Sequence, residues 1–357
     1  MLTSPNVDLA TRWLRLRGEQ PALRIRDAAA TLGVSEAELV ALGVGQTATP
    51  LAADWRALLG DMPSVGRVMC LTRNEHCVHE RQGRFEGVQV GGPHGLVLGP
   101  DIDLRLFLGS WRHGFAVREP LKGGERQSLQ FFDASGEAVH KIYATDETDR
   151  PAFDALIARH RAEASALEIA PRAPDAADRP DSEIDVEGLR TAWRTMTDTH
   201  EFFGMLGKYK VGRVQALRLA GEEFARELPP RALRGAMEAA GAAGMPIMIF
   251  VGSRGCIQIH SGPVVRIEPM EMHGMRWLNV LDPGFNLHLR EDRIASVWIV
   301  EKPTSDGIVT SVEAFDGEGE LMAMFFGARK PGVPEREEWR QIVRKLSRLA
   351  TSGAQVQ

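Results

Sequence analysis

Shifted by 183 positions, the chain lies on itself. Residues 103–144 (DLRLFLGSWRHGFAVREPLKGGERQSLQFFDASGEAVHKIYA) align without a gap on residues 286–327 (NLHLREDRIASVWIVEKPTSDGIVTSVEAFDGEGELMAMFFG). Identities fall at Leu104, Leu106, Val117, Pro120, Gly124, Ser128, Phe132, Asp133, Gly136 and Glu137, 10 of 42 pairs. A repeat of that length predicts two copies of one supersecondary arrangement. The 357 residues suit two domains of ~150 residues each. Earlier segments pair less regularly: Trp55-Arg56 with Trp193-Arg194, Arg67-Val68 with Arg213-Val214, and Cys77 with Cys256. The expected organisation is therefore a first half over 1–167, a linker over 168–185 rich in Ala, Pro and Asp, and a second half over 186–357.

Within each copy, alternating apolar residues (Leu104/Leu106/Leu108; Leu287/Leu289) predict strands with one solvated face. FFDASGEAVHKIY and AFDGEGELMAMFF place Gly between two such runs, as a hairpin requires. Helices around 151–166 and 334–350, each opened by Pro, close the copies. The fold class is α+β: two repeated halves, each a largely antiparallel sheet with flanking helices.

Composition narrows the function classes. Hydrophobic residues make up 43% and charged residues 25%, a globular balance. The net charge of −5 removes the overall basic field that non-specific binding to nucleic acid or anionic membrane needs. No apolar run approaches the ~20 residues that cross a bilayer, and the first residues carry acids where a secretory signal has an apolar core, so a cytoplasmic protein without membrane insertion is expected. Cys70, Cys77 and Cys256 have neither disulfide-framework nor zinc-knuckle spacing and read as buried small apolar residues.

Spacing predicts a helix over 186–207, with Leu189, Trp193, Met196, His200 and Phe203 on one apolar stripe. His200 then has two readings, a core histidine satisfied by backbone or an axial ligand to a flat apolar cofactor. Arg213, Lys302 and Arg329 lie beside elements expected to be buried or turn-like. Each alone suits a solvated surface charge. Together with His200 they match a porphyrin, whose iron takes imidazole and whose propionates take Arg or Lys.

DTHEFFGMLGKYKVGRVQALRLAG, GCIQIHSGPVVRIE, WLNVLDPGFNLHLRED, EKPTSDGIVTSVEAFD and FFGARKPGVPERE, with LTRNEHCVHE and DLRLFLGSWRHGFAV, resemble the bacterial cytoplasmic haemin-transport and haemin-degrading factors. The resemblance covers nearly the whole chain. It implies a haem, one per chain, in a cleft between the two halves. It puts the axial histidine on His200, propionate-binding cations on Arg213, Lys302 and Arg329, and an opposite-side arginine with a distal catalytic role on Arg105. Phe107 and Phe250 would pack the macrocycle, and an aromatic that some members place before the Arg329 equivalent is Ala323 here. The function implied is acceptance of imported haem, its transport and its oxidative opening with iron release. A haem importer or a haem oxygenase would be the partner, and an external electron donor is needed because no nicotinamide or flavin fingerprint is present. Carrier and degrading enzyme differ little in sequence, because the porphyrin and oxygen carry the hard chemistry.

No matching histidine is expected in the first half, whose corresponding helix is taken as WRALLGDM around Trp55. His76, Cys77 and His79 cannot all face one way on a strand, so they make a poor metal site. His260 and His288 read as structural. Two rival classes stand beside the haem reading. One is a haem-responsive DNA-binding regulator using the helix-turn-helix-like 25–42, although its recognition stretch carries Glu36 and Glu38 and no Arg or Lys. The other is a scaffold without a cofactor, distinguished by whether added haemin gives a Soret band.

Overall fold

A computed structural model describes residues 5–121, 124–172, 177–272, 274–330 and 332–353. The chain divides into two compact units. Unit 1 takes residues 1–72, 81–173 and 253–257; unit 2 takes 73–80, 174–252 and 258–357.

In unit 1, helices α1 (Pro5–Glu19), α2 (Ile25–Leu32) and α3 (Glu36–Ala41) precede β1 (Ala48–Pro50), α4 (Trp55–Asp61) and β2 (Gly66–Arg73). Strand β3 (Cys77–Arg84) falls on the division between the units. Next come β4 (Gln89–Gly91), β5 (His94–Leu98), β6 (Asp103–Phe107), β7 (His113–Leu121), β8 (Gly124–Phe132), β9 (Ala138–Thr148) and α5 (Arg150–His160). Strands pair antiparallel in the order β1-β7-β8-β9-β2, and β4-β5-β6 form a smaller antiparallel ribbon. One apolar core, with Trp55, Leu58, Leu59, Phe85, Leu104, Leu106, Phe131 and Phe153 buried, underlies both.

Unit 2 repeats this plan. Helices α6 (Val186–Arg194), α7 (Glu201–Tyr209) and α8 (Arg213–Ala220) lead to β10 (Ala225–Leu228), α9 (Ala232–Ala242), β11 (Ile247–Gly252) and β12 (Cys256–Gly262). They are followed by β13 (Ile267–Met272), β14 (Met275–Asp282), β15 (Phe285–Arg290), β16 (Ser296–Thr304), β17 (Gly307–Phe315), β18 (Leu321–Gly327) and α10 (Glu337–Gly353). The orders are β10-β16-β17-β18-β11 and β13-β14-β15, again antiparallel.

The shift of 183 holds residue for residue. It carries β7 (His113–Leu121) onto β16 (Ser296–Thr304) and β8 (Gly124–Phe132) onto β17 (Gly307–Phe315). Upstream, Ala48 pairs with Val117 and Ala225 with Val300, so the shift there is 177, and it carries α3 onto α8 and α4 onto α9. The helix at Trp55 is thus the counterpart of α9, not of the helix carrying Trp193, and Arg67 lies on a strand whereas Arg213 opens a helix. Those two dipeptide pairings are coincidences of composition. The first half still has no histidine at the matching place, since residues 1–50 contain none.

Two further expectations change. The helix expected over 186–207 is two helices, because α6 stops at Thr195, whose hydroxyl hydrogen-bonds back to the Thr191 carbonyl, and a bend separates it from α7. The segment 25–42 does form two helices, turning at Gly33 with φ +67°. In α3, however, Glu36, Ala37, Leu39 and Val40 are buried, and Glu36 is ion-paired with Lys141, so the supposed recognition helix offers no face to DNA. Cys70, Cys77 and Cys256 are buried and outside any disulfide, as expected of small apolar residues.

Candidate functional site

Unit 2 brings four of the sequence-selected residues to one end, around the starts of α7 and α8 and the β16–β17 turn. The bend between α6 and α7 is fixed at two points. Glu201 Oε1 accepts from the Thr197 and Asp198 backbone N–H groups and the Thr197 hydroxyl, and the Ser305 N–H donates to the Thr197 carbonyl. This bend moves His200 off the apolar stripe. The side chain is 85% exposed, so the core-histidine reading is wrong. Asp198 Oδ1 accepts from the His200 backbone N–H at 2.8 Å and from ring Nδ1 at 2.6 Å. A carboxylate only accepts, so Nδ1 is the donor in this bond and Nε2 is the ring nitrogen left for a metal, the arrangement in which a carboxylate orients a metal-binding imidazole. The same contacts, the backbone bond foremost, hold the Asp198 carboxyl below its ordinary range, with Arg329 adding to the effect.

The break also changes which phenylalanine faces inward. Phe203 is 74% exposed, whereas Phe202 is buried against Trp193, their rings 4.8 Å apart and close to perpendicular. Trp193 in turn donates from Nε1 to the Glu301 carbonyl at 2.9 Å, anchoring α6 beside Lys302.

Arg213 and Lys302 converge on a residue that sequence reasoning missed, Glu313. Arg213 Nε and Nη2 donate to Oε2 at 2.9 and 2.8 Å, and Lys302 Nζ donates to Oε1 at 2.9 Å. Ser311 donates to the same Oε1. Both cations also lie over the Phe202 ring, at 5.0 and 4.5 Å from its centre. Burial pushes the Glu313 carboxyl up, but Arg213 and Lys302 outweigh it and hold the group at about 2. Burial pulls the Lys302 ammonium down, with Glu313 opposing and Arg213 adding. Two cations about one carboxylate leave this buried group with a surplus positive charge.

Arg329 is mostly buried and approaches Asp306 at 3.7 Å, while its Nη1 is buried without a hydrogen-bond partner. Asp306, in the β16–β17 turn, also accepts from the Gly332 N–H at 2.9 Å. A guanidinium with one unused buried donor has unspent capacity for an anion. Phe250, on β11, packs its ring 4.9 Å from Phe326.

Arg105 and Phe107 belong to unit 1. On β6 the leucines at 104 and 106 are buried, and Asp103, Arg105 and Phe107 share the opposite face, as strand alternation predicts. Arg105 is ion-paired with Asp103 and also donates to the Leu104 carbonyl, and Phe107 meets His94 edge-on at 6.1 Å. Of the two histidines read as structural, His260 stacks on Phe285 at 3.7 Å, and His288 Nδ1 bonds Asn279. Ala323 is buried in the apolar core of unit 2.

The repeated α+β scaffold thus carries in unit 2 an exposed imidazole held by a carboxylate and a buried group with surplus positive charge. The family model for the haemin-degrading HemS.ChuX domain matches residues 33–160 and again 210–346, and the chain belongs to that family. It is 40% identical over 346 residues to the hemin transport protein HmuS of Yersinia pestis, covering 96% of this chain and 98% of that one. The heme-binding protein PhuS of Pseudomonas aeruginosa, in its holo crystal structure, superposes with a TM-score of 0.91 at 49% identity, covering 96% of this chain and 99% of that one. The heme degrading enzyme ChuS of Escherichia coli O157:H7 does so with a TM-score of 0.88 at 40% identity and the same coverage. Among the described residues no helix is long and apolar enough to cross a membrane.

Proposed function

We propose that this chain binds one haem, carries it through the cytoplasm after import, and assists its oxidative opening with release of iron. The observation that carries the reading is His200: exposed, with Nδ1 committed to Asp198 and Nε2 left for a ligand. In this reading Nε2 would ligate the iron, with the ring orientation fixed by the carboxylate. Arg213, Lys302 and Arg329 supply the positive field for two propionates, with the surplus charge about Glu313 and the unused Arg329 donor as its physical basis. Phe250 and Phe107 would pack the macrocycle, and Arg105 would donate hydrogen bonds to a bound oxygen species without itself ligating. Bound haem supplies the redox chemistry, with electrons from an external donor. The names of the relatives support binding, transport and degradation alike. A haem importer or a haem oxygenase would be its partner in this role.

The test is haemin titration of parent and His200→Ala. The iron bond should supply a substantial part of the net affinity, because association costs of ~4–15 kcal/mol offset most of the gain from burying the ring. His200→Ala is expected to bind more weakly with altered ligand-field bands, whereas an unchanged spectrum and affinity would remove His200 as the ligand. Adding a reductant in air to the parent complex then separates roles: Soret loss with iron release marks a degrading enzyme, a persistent complex a carrier.

A further inference from the structure

We propose that one face of the β13–β14 ribbon is a binding site for a soft monovalent cation, Cu(I) by chemical class, held by the thioethers of Met270, Met272 and Met275. The antiparallel register sets Met272 opposite Met275 and Met270 opposite Trp277. Cross-strand partners and residues two apart share a face, so all three methionines and Trp277 project from one side of the ribbon. Directly opposed side chains start about 4.5–5.5 Å apart and diagonal ones about 7–8 Å, a gap that flexible thioether arms close around one ion.

Burial argues against a packing role for Met270 and Met272, while Met275 is half-buried. Elsewhere in unit 2 methionine fills the interior, as at Met205, Met237, Met245 and Met322, yet Met270 and Met272 are each 45% exposed. The opposite side of the ribbon performs the packing: Leu278 and Val280 are fully buried, and Ile267 sits against the same core. The repeat supplies a control. Its equivalent hairpin, β4–β5, has the same backbone pairing but reads QVGGPHGLVL, with no methionine, so the hairpin geometry does not itself call for thioethers.

Neutral, polarisable sulfur selects Cu(I) over hard cations, which need oxygen ligands. Among the described residues no group of three His, Cys, Asp or Glu side chains could hold a metal. The charges nearby on this face are already paired. Glu268 is bonded to Arg266, and Arg290, lying 5.3 Å from the centre of the Trp277 ring, is bonded twice to Asp292. The Trp277 ring therefore stands beside the thioethers as a built-in reporter.

The experiment uses the full chain without haem and Ag(I), the air-stable analogue of Cu(I), followed by Cu(I) in competition with a chromophoric chelator. With the methionine methyl groups labelled with carbon-13, one equivalent of Ag(I) should shift the Met270, Met272 and Met275 resonances out of the 13 methionines. The M270L/M272L/M275L variant, which keeps the apolar volume, should lose at least about tenfold in Cu(I) affinity. Trp277→Phe should keep binding and lose the Ag(I)-induced fluorescence change. If those three methyl resonances stay in place, or if the triple variant binds as tightly as the parent with uptake at the cysteines instead, the proposal is overturned. Repeating the titration with His200→Ala, which should bind Cu(I) like the parent, keeps this result independent of the haem reading.

Discussion

The two units place different charge patterns at one structural position. In unit 1, Glu36 at the start of α3 pairs with Lys141 of β9, one anion to one cation. In unit 2 the position equivalent to Glu36 is Arg213, Gln130 becomes Glu313, Glu119 becomes Lys302, and Lys141 becomes Met324. Even the supporting hydroxyl is repeated, as Ser128 bonded to Gln130 and Ser311 bonded to Glu313. Unit 1 thus keeps a closed neutral pair, whereas unit 2 encloses one carboxylate between two cations. A duplicated scaffold can therefore hold its fold with either pattern, and only the second carries a surplus charge.

Breaking the unit 2 cluster should have the largest effect. Glu313→Gln gives unit 2 the residue unit 1 carries there and leaves Arg213 and Lys302 buried without a counter-charge, so a loss of about 3–5 kcal/mol is expected in urea unfolding. Retained stability would mean that the cations escape to solvent. The pH dependence has a definite sign. Because the folded carboxyl is held at about 2 against an ordinary 4.5, its contribution is fully present above 4.5 and is lost as pH falls toward 2. Parent and Glu313→Gln unfolding curves should converge across that window.

Lys141→Met places the unit 2 residue in unit 1 and strands Glu36 without its cation. A loss of about 3 kcal/mol is expected, because a buried carboxylate is left without its counter-charge. Haem binding, if confined to the unit 2 cations and His200, should survive in the folded fraction; loss of binding by the folded variant would show that unit 1's pair contributes too. The smallest effect on stability belongs to Asp198→Asn, at an exposed position where changes stay within about 0.5 kcal/mol. Its haem affinity should nevertheless fall ~10–100-fold, the usual consequence of removing the carboxylate behind a metal-bound imidazole. Equal affinities would separate Asp198 from the site.

The gapless repeat and its strands were legible because strand alternation and turn glycines survive duplication, as Gly124/Gly307 and Gly136/Gly319 show. The helix over 186–207 was not. Periodicity counted from Leu189 reached His200 and Phe203 only by running through TMTDT, whose short polar side chains compete for backbone groups and end a helix. The DTHE run was the available signal, since Asp and Glu three apart mark a helix start, and it would have moved His200 to the helix N-terminus. Glu313 was legible only through the repeat, as a carboxylate opposite Gln130. Its two cations come from residues 100 and 11 positions away, and no local spacing reveals such a meeting.

The allocation of residues 253–257 to unit 1 has a consequence for the order of synthesis. Trp111 donates from Nε1 to the Gly255 carbonyl at 2.8 Å, the Phe107 N–H bonds the same carbonyl, and Ser253 donates to the Val139 carbonyl at 2.7 Å. Gly255 tolerates this only without a side chain, because a Cβ there would stand 2.9 Å from the Trp111 nitrogen. These bonds close the core of unit 1 with a segment translated about 80 residues after its own last continuous stretch, 81–173, has been made. A nascent chain paused before residue 253 would hold Trp111 with its indole donor unanswered. Unit 1 reaches its final state only when the ribosome is well into unit 2, so the usual rule that the N-terminal domain finishes first does not apply to this chain.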